Sequence, residues 1–288
     1  IKEAFSVIDA EITVECNPSS VDEELVLALK GAGVNRISMG MQSAVTKERK
    51  ALGRLSDGNH VRECVNLFRK HGIDNISLDL MLGVPCQTKE SLDESIDFLL
   101  SCGIRHISAY MLKIEEDTLF YSLQDSLPLP DEDTVCDLYL HTVSRLNSEG
   151  FLQYEISNFA QKGFESRHNL RYWHCEQYLG IGPSAHSFIN GKRFYFERDF
   201  EKFLTCPEAI PDGDGGSEEE YIMLALRLSE GLSFEDYKRR FGKAIDCEII
   251  SKSGKYEKAG LLSVTGEKLF LNEKGFLLSN QIISDLLG

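Results

Sequence analysis

The sequence lacks closely spaced cysteines. Its 8 cysteines are scattered along 288 residues, and even the nearest pair, Cys86 and Cys102, is too far apart to form a CxxC or CxxxCxxC motif. In a chain of this size, scattered single cysteines exclude a disulfide framework and are typical of a reducing compartment. We therefore predict a cytoplasmic protein whose sequence lacks the closely spaced cysteines that would hold a metal cluster.

Long apolar runs and an excess of basic charge are also missing. No segment approaches the roughly 18 consecutive apolar residues of a membrane-spanning helix, which excludes a membrane-spanning protein. The 31 Lys and Arg residues are outnumbered by 46 Asp and Glu residues, which gives a formal net charge of −15. Because an acidic surface repels phosphate backbones, we predict no nucleic-acid partner.

The first half of the sequence alternates short apolar runs with amphipathic helices. The runs are rich in Ile, Val, Leu and Met, as in strands that are buried in a parallel sheet. Strands that alternate with helices predict an α/β fold on a parallel sheet, either open or closed into a barrel. The runs are Glu11–Glu15, Arg36–Gln42, Ile76–Val84 and His106–Leu112.

The second half of the chain has a different character. Residues 151–205 are aromatic and irregular, and we assign them with the preceding elements to one domain, 1–205. Residues 206–217 are rich in Pro, Gly and acidic side chains, which predicts a linker. Helical segments, a hairpin pattern and a last helix predict a small winged-helix-like α+β domain over 218–288. Its few basic residues favour a structural or docking role over DNA binding.

Polar residues stand at or near the ends of three predicted strands. Glu15 ends the first run, Gln42 ends the second, and Asp79 lies inside the third. In parallel α/β folds, ligands bind beyond the carboxyl ends of the strands. A carboxylate inside an apolar strand is costly to bury unless a donor meets it, and backbone N–H groups could be that donor. The three residues together favour a ligand site.

The segment HNLRYW, residues 168–173, is the densest cluster of chemically useful side chains. It contains His168, Asn169, Tyr172 and Trp173, which is the single tryptophan of the chain. Such a cluster could stack on a flat aromatic ligand while the histidine binds its metal. The alternative is a buried aromatic anchor that holds the following segment on the sheet, and composition alone favours that anchor.

Eight segments stand in a fixed order from about residue 10 onward. They are EITVECNP, GVNRISMGMQS, ALGRLSDGNHV, DLMLGVPCQT, HISAYMLKIEEDT, YEISNFA, HNLRYW and YLGIGPSAHS. In this order the chain resembles the radical SAM proteins related to oxygen-independent coproporphyrinogen III oxidase. The segments HNLRYW and YEISNFA are similar to the heme chaperone branch of that family rather than to the decarboxylating oxidase.

The resemblance implies a partial TIM-like (β/α)6 radical SAM barrel followed by the small C-terminal domain. It also implies S-adenosylmethionine and a [4Fe-4S] cluster as cofactors, with the cluster held by CxxxCxxC after the first barrel strand. This sequence contains neither that motif nor the family's GGTP segment, and its first strand matches the third strand of the family. We therefore expect an N-terminally truncated member without the first two barrel strands.

The resemblance also implies which side chains surround S-adenosylmethionine. They are polar and lie near strand ends or in the GIGPSAH loop. These residues are Glu15, Gln42, Arg54, Asp79, Lys113 and His186. Cys86 departs from the family, which usually has Gly at this position, and we expect a strained turn there.

For heme, the resemblance implies His168 as a candidate ligand of the iron, with Asn169, Tyr172 and Trp173 beside it in the heme-binding motif. This implication reverses the preference for a buried anchor. The resemblance therefore implies that heme binds in addition to S-adenosylmethionine and the [4Fe-4S] cluster.

Three hypotheses for the function remain open. The first is a heme chaperone that delivers heme to an acceptor protein, which is compatible with peripheral contact to a membrane-bound acceptor. The second is oxidative decarboxylation of coproporphyrinogen III, and the third is an inactive fragment without the cluster. The heme-binding motif favours the first over the second. The sequence does not decide whether the chain is an enzyme, and it does not indicate an oligomeric state.

Overall fold

The computed structural model describes residues 9–54 and 57–288. The chain forms two compact units, Ile1–Glu165 and Ser166–Gly288. Within the described ranges, no helix combines the length and the apolar character that crossing a membrane requires.

The first unit alternates strands and helices, as its sequence predicts. Its strands are β1 (Thr13–Cys16), β2 (Arg36–Gln42), β3 (Asn75–Leu82), β4 (His106–Met111), β5 (Leu152–Gln153) and β6 (Asn158–Ala160). Its α-helices are α1 (Glu23–Ala32), α2 (Thr46–Ala51), α3 (Gly58–Lys70), α4 (Lys89–Ser101), α5 (Leu119–Leu123) and α6 (Glu132–Ser148). Two short 3₁₀ helices lie at Pro18–Ser20 and Gln124–Ser126.

These strands form one six-stranded sheet in the order β1-β2-β3-β4-β6-β5. The first four strands pair in parallel with one another. Strand β6 pairs antiparallel with β4, and β5 pairs antiparallel with β6. Each of the four predicted apolar runs overlaps one of the parallel strands, so the predicted α/β class is confirmed. The antiparallel edge formed by β5 and β6 was not predicted.

Side-chain caps fix where the main helices of this unit begin. Asp22, Asp57, Thr88 and Asp131 each accept a hydrogen bond from a backbone N–H in the first turn of the helix that follows. A cap of this kind stabilises a helix by about 1 kcal/mol. Three of these capped helices, α1, α3 and α4, lie in the connections between successive parallel strands.

The two faces of the parallel sheet carry different side chains because successive residues of a strand point to opposite faces. One face is apolar and fully buried, and helix α6 lies against it at β3 and β4. Its residues include Ile37, Met39, Leu78, Leu80 and Ile107. The alternate positions are polar, and they include Arg36, Ser38, Ser77, Asp79, His106 and Ser108. These polar side chains of the strands are therefore confined to one face.

We expect Phe68→Ala to lower the free energy of unfolding by about 3–5 kcal/mol, because the ring is completely buried on α3 and its loss leaves a cavity. Leu27→Ala is the matched control, since Leu27 is 53% exposed on α1; its effect should stay below about 1 kcal/mol. Denaturant unfolding of both variants measures the difference. Equal losses would contradict the assigned core.

The second unit contains two three-stranded antiparallel sheets and several helices. The strands are β7 (His186–Ile189), β8 (Lys192–Tyr195), β9 (Ile210–Asp214), β10 (Leu232–Ser233), β11 (Leu262–Val264) and β12 (Lys268–Leu271). The helices are α7 (Arg167–Trp173), α8 (Phe200–Thr205), α9 (Glu218–Ala225), α10 (Phe234–Phe241), α11 (Cys247–Lys258), α12 (Glu273–Leu277) and α13 (Ser279–Leu287). The sheet orders are β7-β8-β9 and β10-β12-β11. From α9 onward this unit contains three helices, the hairpin of β11 and β12, and two final helices, with β10 between α9 and α10. The winged-helix-like character of residues 218–288 stays a prediction.

The division between the two units differs from the predicted boundary. The predicted domain 1–205 extends past Glu165, where the first compact unit ends. The predicted linker 206–217 contains β9, which pairs with β8 through Phe194 opposite Pro211. Because β9 is an edge strand, it tolerates the proline and glycine that made this segment resemble a linker.

Candidate functional site

The polar face of the sheet gathers four of the predicted residues around one tyrosine. Tyr110 of β4 lies where burial raises the pKa of its phenol, and the charges of Asp79 and Glu15 add to that rise. A hydrogen bond with Gln42 and the charge of Arg54 oppose it. Side chains from β1, β2, β3 and β4, together with Arg54 beyond α2, therefore share one electrostatic environment.

Asp79 has the most perturbed carboxyl of this group. Burial, together with the nearby charge of Glu15, raises its pKa from 3.8 to about 6. Hydrogen bonds with Ser108 and Ser38, and the charge of Arg36, act in the opposite direction. They do not fully offset the loss of hydration, so this carboxyl titrates close to neutral pH.

Gln42 closes the end of β2 in an unusual backbone conformation. Its φ is 64°, in the left-handed region, and only 3% of the residue is exposed. The strand register shifts between Gly40 and Gln42, and a Cβ on Gly40 would lie 2.6 Å from the Gln42 side-chain amide. A side chain at position 40 would therefore displace the Gln42 amide. A strained backbone of this kind is typical of functional sites.

Two further residues, Lys113 and His186, are predicted to lie near S-adenosylmethionine. Lys113 is exposed, and its Nζ is 2.6 Å from Glu115. His186 belongs to the second unit, where its ring stacks on Tyr195 and its Nδ1 lies 3.5 Å from Asp212. The assignment of both residues to this region stays a prediction.

A buried histidine continues the polar face toward the start of β4. The Nδ1 of His106 lies 2.7 Å from the Ser77 hydroxyl, and its Nε2 lies 2.8 Å from the Tyr154 hydroxyl. Burial, reinforced by the charge of Arg36, lowers the pKa of His106 well below its usual value. The imidazole is therefore neutral at pH 7.

Glu155 is a second buried carboxyl that the sequence analysis did not select. It is fully buried in the turn between β5 and β6, and its Oε1 has no hydrogen-bond partner in the described part of the chain. Burial raises its pKa to about 7, although backbone N–H groups and Asn158 oppose the shift. The quoted motif YEISNFA contained this residue. The polar alternation of His106, Ser108 and Tyr110 within an apolar strand was a readable signal for the histidine and for Tyr110.

Helix α7 carries the predicted heme residues. Ser166 caps it by accepting from the Asn169 N–H at 3.3 Å. On one side, the rings of His168 and Tyr172 meet edge to face with centroids 4.9 Å apart, and Tyr172 meets Tyr178 at 4.6 Å. None of the residues of α7 is buried, which disagrees with the buried aromatic anchor.

Trp173 lies on a different side of α7 from this aromatic group. Arg227 lies over its ring at 5.9 Å from the centroid. Trp173 also lines a cavity of about 550 Å³ within the second unit, and His168 does not line that cavity. His168 and Tyr172 thus lie on one surface of this short helix, and Trp173 lies on another.

The cysteines of this chain do not form a cluster site. All 8 cysteines are free. Within residues 9–54 and 57–288, no group of three or more His, Cys, Asp and Glu side chains lies close enough to hold a metal ion. The residues present therefore do not fit a [4Fe-4S] cluster. Cys86 has a φ of 67°, which confirms the expected strain in its turn.

Comparison with known proteins adds two family matches. Residues 1–99 match the radical SAM superfamily, and residues 219–278 match the HemN C-terminal domain. The heme chaperone HemW of Bacillus subtilis is 35% identical over 289 residues, which cover 97% of this chain and 76% of that protein. The chain belongs to the heme chaperone HemW family. The predicted family and branch are thereby confirmed.

Two further relatives are similar in sequence to this chain. The heme chaperone HemW of Haemophilus influenzae is 34% identical, covering 91% of this chain and 72% of that protein. The mitochondrial radical S-adenosyl methionine domain-containing protein 1 of Mus musculus is 39% identical, covering 64% of this chain and 42% of that protein.

A solved structure supports the fold. The coproporphyrinogen III oxidase HemN of Escherichia coli superimposes with a TM-score of 0.79, at 19% identity, over 96% of this chain and 70% of that one. At this identity the likeness establishes the radical SAM fold alone. The matched C-terminal segment 219–278 lies inside the predicted domain 218–288.

We expect Asp79→Asn to stabilise the protein at pH 7 by about 1–3 kcal/mol. The pKa of Asp79 is raised from 3.8 to about 6 in the folded chain, so native stability falls as pH rises through this window and the carboxyl loses its proton. Asparagine carries no charge at any pH. The gain should therefore shrink between pH 6 and 4 and vanish at lower pH.

Denaturant unfolding at pH 7 and pH 4 tests this expectation. Asp74→Asn, at an exposed position before β3, is the matched control and should change stability by less than about 0.5 kcal/mol at both pH values. A clear destabilisation by Asp79→Asn at pH 7 would show that the carboxylate is satisfied by its protein neighbours.

Proposed function

We propose that this chain binds heme and passes it to an acceptor protein. Membership of the HemW family over 97% of the chain supports this function, because the relatives are named heme chaperones. The observation that carries the proposal is helix α7, which presents His168 at the surface beside Tyr172. The cytoplasmic location remains a prediction.

His168 has the chemistry that a ligand of heme iron needs. A neutral imidazole nitrogen is the common protein ligand of heme iron. The rings of Tyr172 and Tyr178 lie next to it and offer apolar surface against which a flat macrocycle can pack. An exposed position suits a chaperone, because the cargo must leave without unfolding the site. Asn169 takes part through its N–H bond to Ser166, which fixes the start of the helix.

The polar face of the first unit fits S-adenosylmethionine, the cofactor that the radical SAM family implies. This molecule carries an ammonium group, a sulfonium group and a carboxylate. Glu15 and Asp79 would face its positive groups, Arg54 would pair with its carboxylate, and Gln42 would bond its polar edges. A bound cation would also favour the charged form of Asp79, whose burial now costs free energy. The roles of Lys113 and His186 near S-adenosylmethionine stay predictions of the family resemblance.

In radical SAM proteins this cofactor supplies one-electron chemistry together with an iron–sulfur cluster. The cysteines of this chain do not fit that cluster. The likeness to coproporphyrinogen III oxidase reaches only the fold. Heme handling is therefore the function that the described residues support on their own, and the acceptor would be a heme-accepting protein, including one at a membrane surface.

We expect His168→Ala to weaken hemin binding at least about tenfold, because losing an axial ligand removes the specific bond to iron. An optical titration measures this as the loss of the saturable Soret shift near one equivalent of hemin. His60→Ala is the matched control, since His60 lies on α3 of the other unit.

The control should bind hemin like the unmodified protein. Equal affinity of His168→Ala and the unmodified protein would overturn His168 as the ligand. If no variant or parent protein shows a saturable shift, the heme chaperone proposal itself fails for this chain.

A further inference from the structure

The cavity beside Trp173 has no role in the function proposed above. It has a volume of about 550 Å³ and lies wholly within the second unit. That volume falls in the range of small-molecule binding pockets, about 300–1,000 Å³. Its lining includes Trp173, His174, Tyr221, Glu230, Arg240 and Lys268.

The carboxylates that line the cavity all have cationic partners. Glu230 Oε1 lies 2.7 Å from His174 Nε2, and this hydrogen bond raises the pKa of His174. Glu176 lies 2.5 Å from Arg171, and Asp236 pairs with Arg239. The acidic side chains therefore do not set the charge that a ligand would meet.

Two cations of the lining contact neutral groups instead of forming ion pairs, and the charge of Lys268 also helps to lower the pKa of Glu230. Arg240 donates to the Cys175 carbonyl at 2.9 Å and lies 5.0 Å from the centre of the Tyr221 ring. Lys268 Nζ lies 4.6 Å from the centre of the Phe270 ring. Among the residues that the structure describes, neither Arg240 nor Lys268 forms an ion pair with a carboxylate. The cavity thus offers two positive charges to an incoming anion.

Aromatic rings accompany these charges. Trp173 and Tyr221 both line the cavity, and such rings favour contact with a flat unsaturated ligand. We propose that this cavity binds a planar aromatic molecule that carries two carboxylates, with Arg240 and Lys268 as the groups that bind them. The choice of a porphyrin as that molecule rests on the proposed heme function, since the two propionates of heme meet this description. The site is separate from the ring surface of His168 and Tyr172.

The cavity can be tested with metal-free protoporphyrin IX, which cannot be bound through iron. We titrate it into the full chain and follow the fluorescence of the porphyrin. Lys268→Met should weaken binding about tenfold, because it removes a charge-assisted contact to one carboxylate. Lys258→Met is the matched control: it removes the same charge from an exposed position at the end of α11 and should leave the affinity unchanged.

The dimethyl ester of protoporphyrin IX provides a second arm, since its ring is the same and its carboxylates are blocked. The ester should bind with equal affinity to the unmodified protein and to Lys268→Met. Equal binding of the diacid to Lys268→Met and the unmodified protein would overturn the proposal. So would an ester that is as sensitive to Lys268→Met as the diacid, or the absence of saturable porphyrin binding.

The same experiment separates this inference from the proposed function. His168→Ala should leave metal-free porphyrin binding unchanged, whereas it should remove the contribution of the iron–imidazole bond to the Soret shift of hemin. A hemin shift that depends on His168, without porphyrin binding that depends on Lys268, keeps the chaperone proposal and removes the cavity. The converse result keeps the cavity and removes His168 as the iron ligand.

Discussion

The burial of a carboxyl inside a parallel sheet is the constraint on which the first unit depends. Asp79 lies in β3 between Gly40 of β2 and Ser108 of β4, where burial limits the hydration of its charge. Such a position costs free energy, and the apolar face of the same strands supplies the stability that offsets it. The polar face can therefore be kept for ligands because the opposite face is fully packed.

The second unit exposes rings and charges on α7 rather than burying them. Helix α7 is only seven residues long, yet it presents His168 and Tyr172 on one side and Trp173 on another. The first side suits a metal-centred ligand that must leave again. The second borders a cavity in which each acid already has a basic partner, whereas Arg240 and Lys268 form no ion pair with a carboxylate among the residues that the structure describes. One short element would thus serve both proposed kinds of recognition.

The parallel strands could be predicted because short apolar runs that alternate with amphipathic helices are typical of a parallel α/β sheet. Strands β5, β6 and β9 could not, since they are short, lie at a sheet edge or next to one, and include the residues of a turn or linker. Glu15, Gln42 and Asp79 were selected from strand ends, and the structure gathers them around Tyr110. Glu155 was missed because its burial depends on a turn that no local pattern specifies. The helical period within HNLRYW could have predicted that Trp173 and His168 lie on different sides of a helix. The cavity beside Trp173 could not be predicted, because its lining comes from elements that are far apart in the sequence.

The most direct test of this account is the pKa of Asp79 itself. A carbon-13 NMR titration of the aspartate carboxyl carbons, with Asp79→Asn used to assign the signal, measures it in the folded protein. The account predicts a midpoint at about pH 6, which is the value that burial beside Glu15 imposes. A midpoint at or below 3.8, its ordinary value, would show that the carboxylate is fully satisfied by Ser38, Ser108 and Arg36. The polar face would then be a structural feature rather than a ligand site.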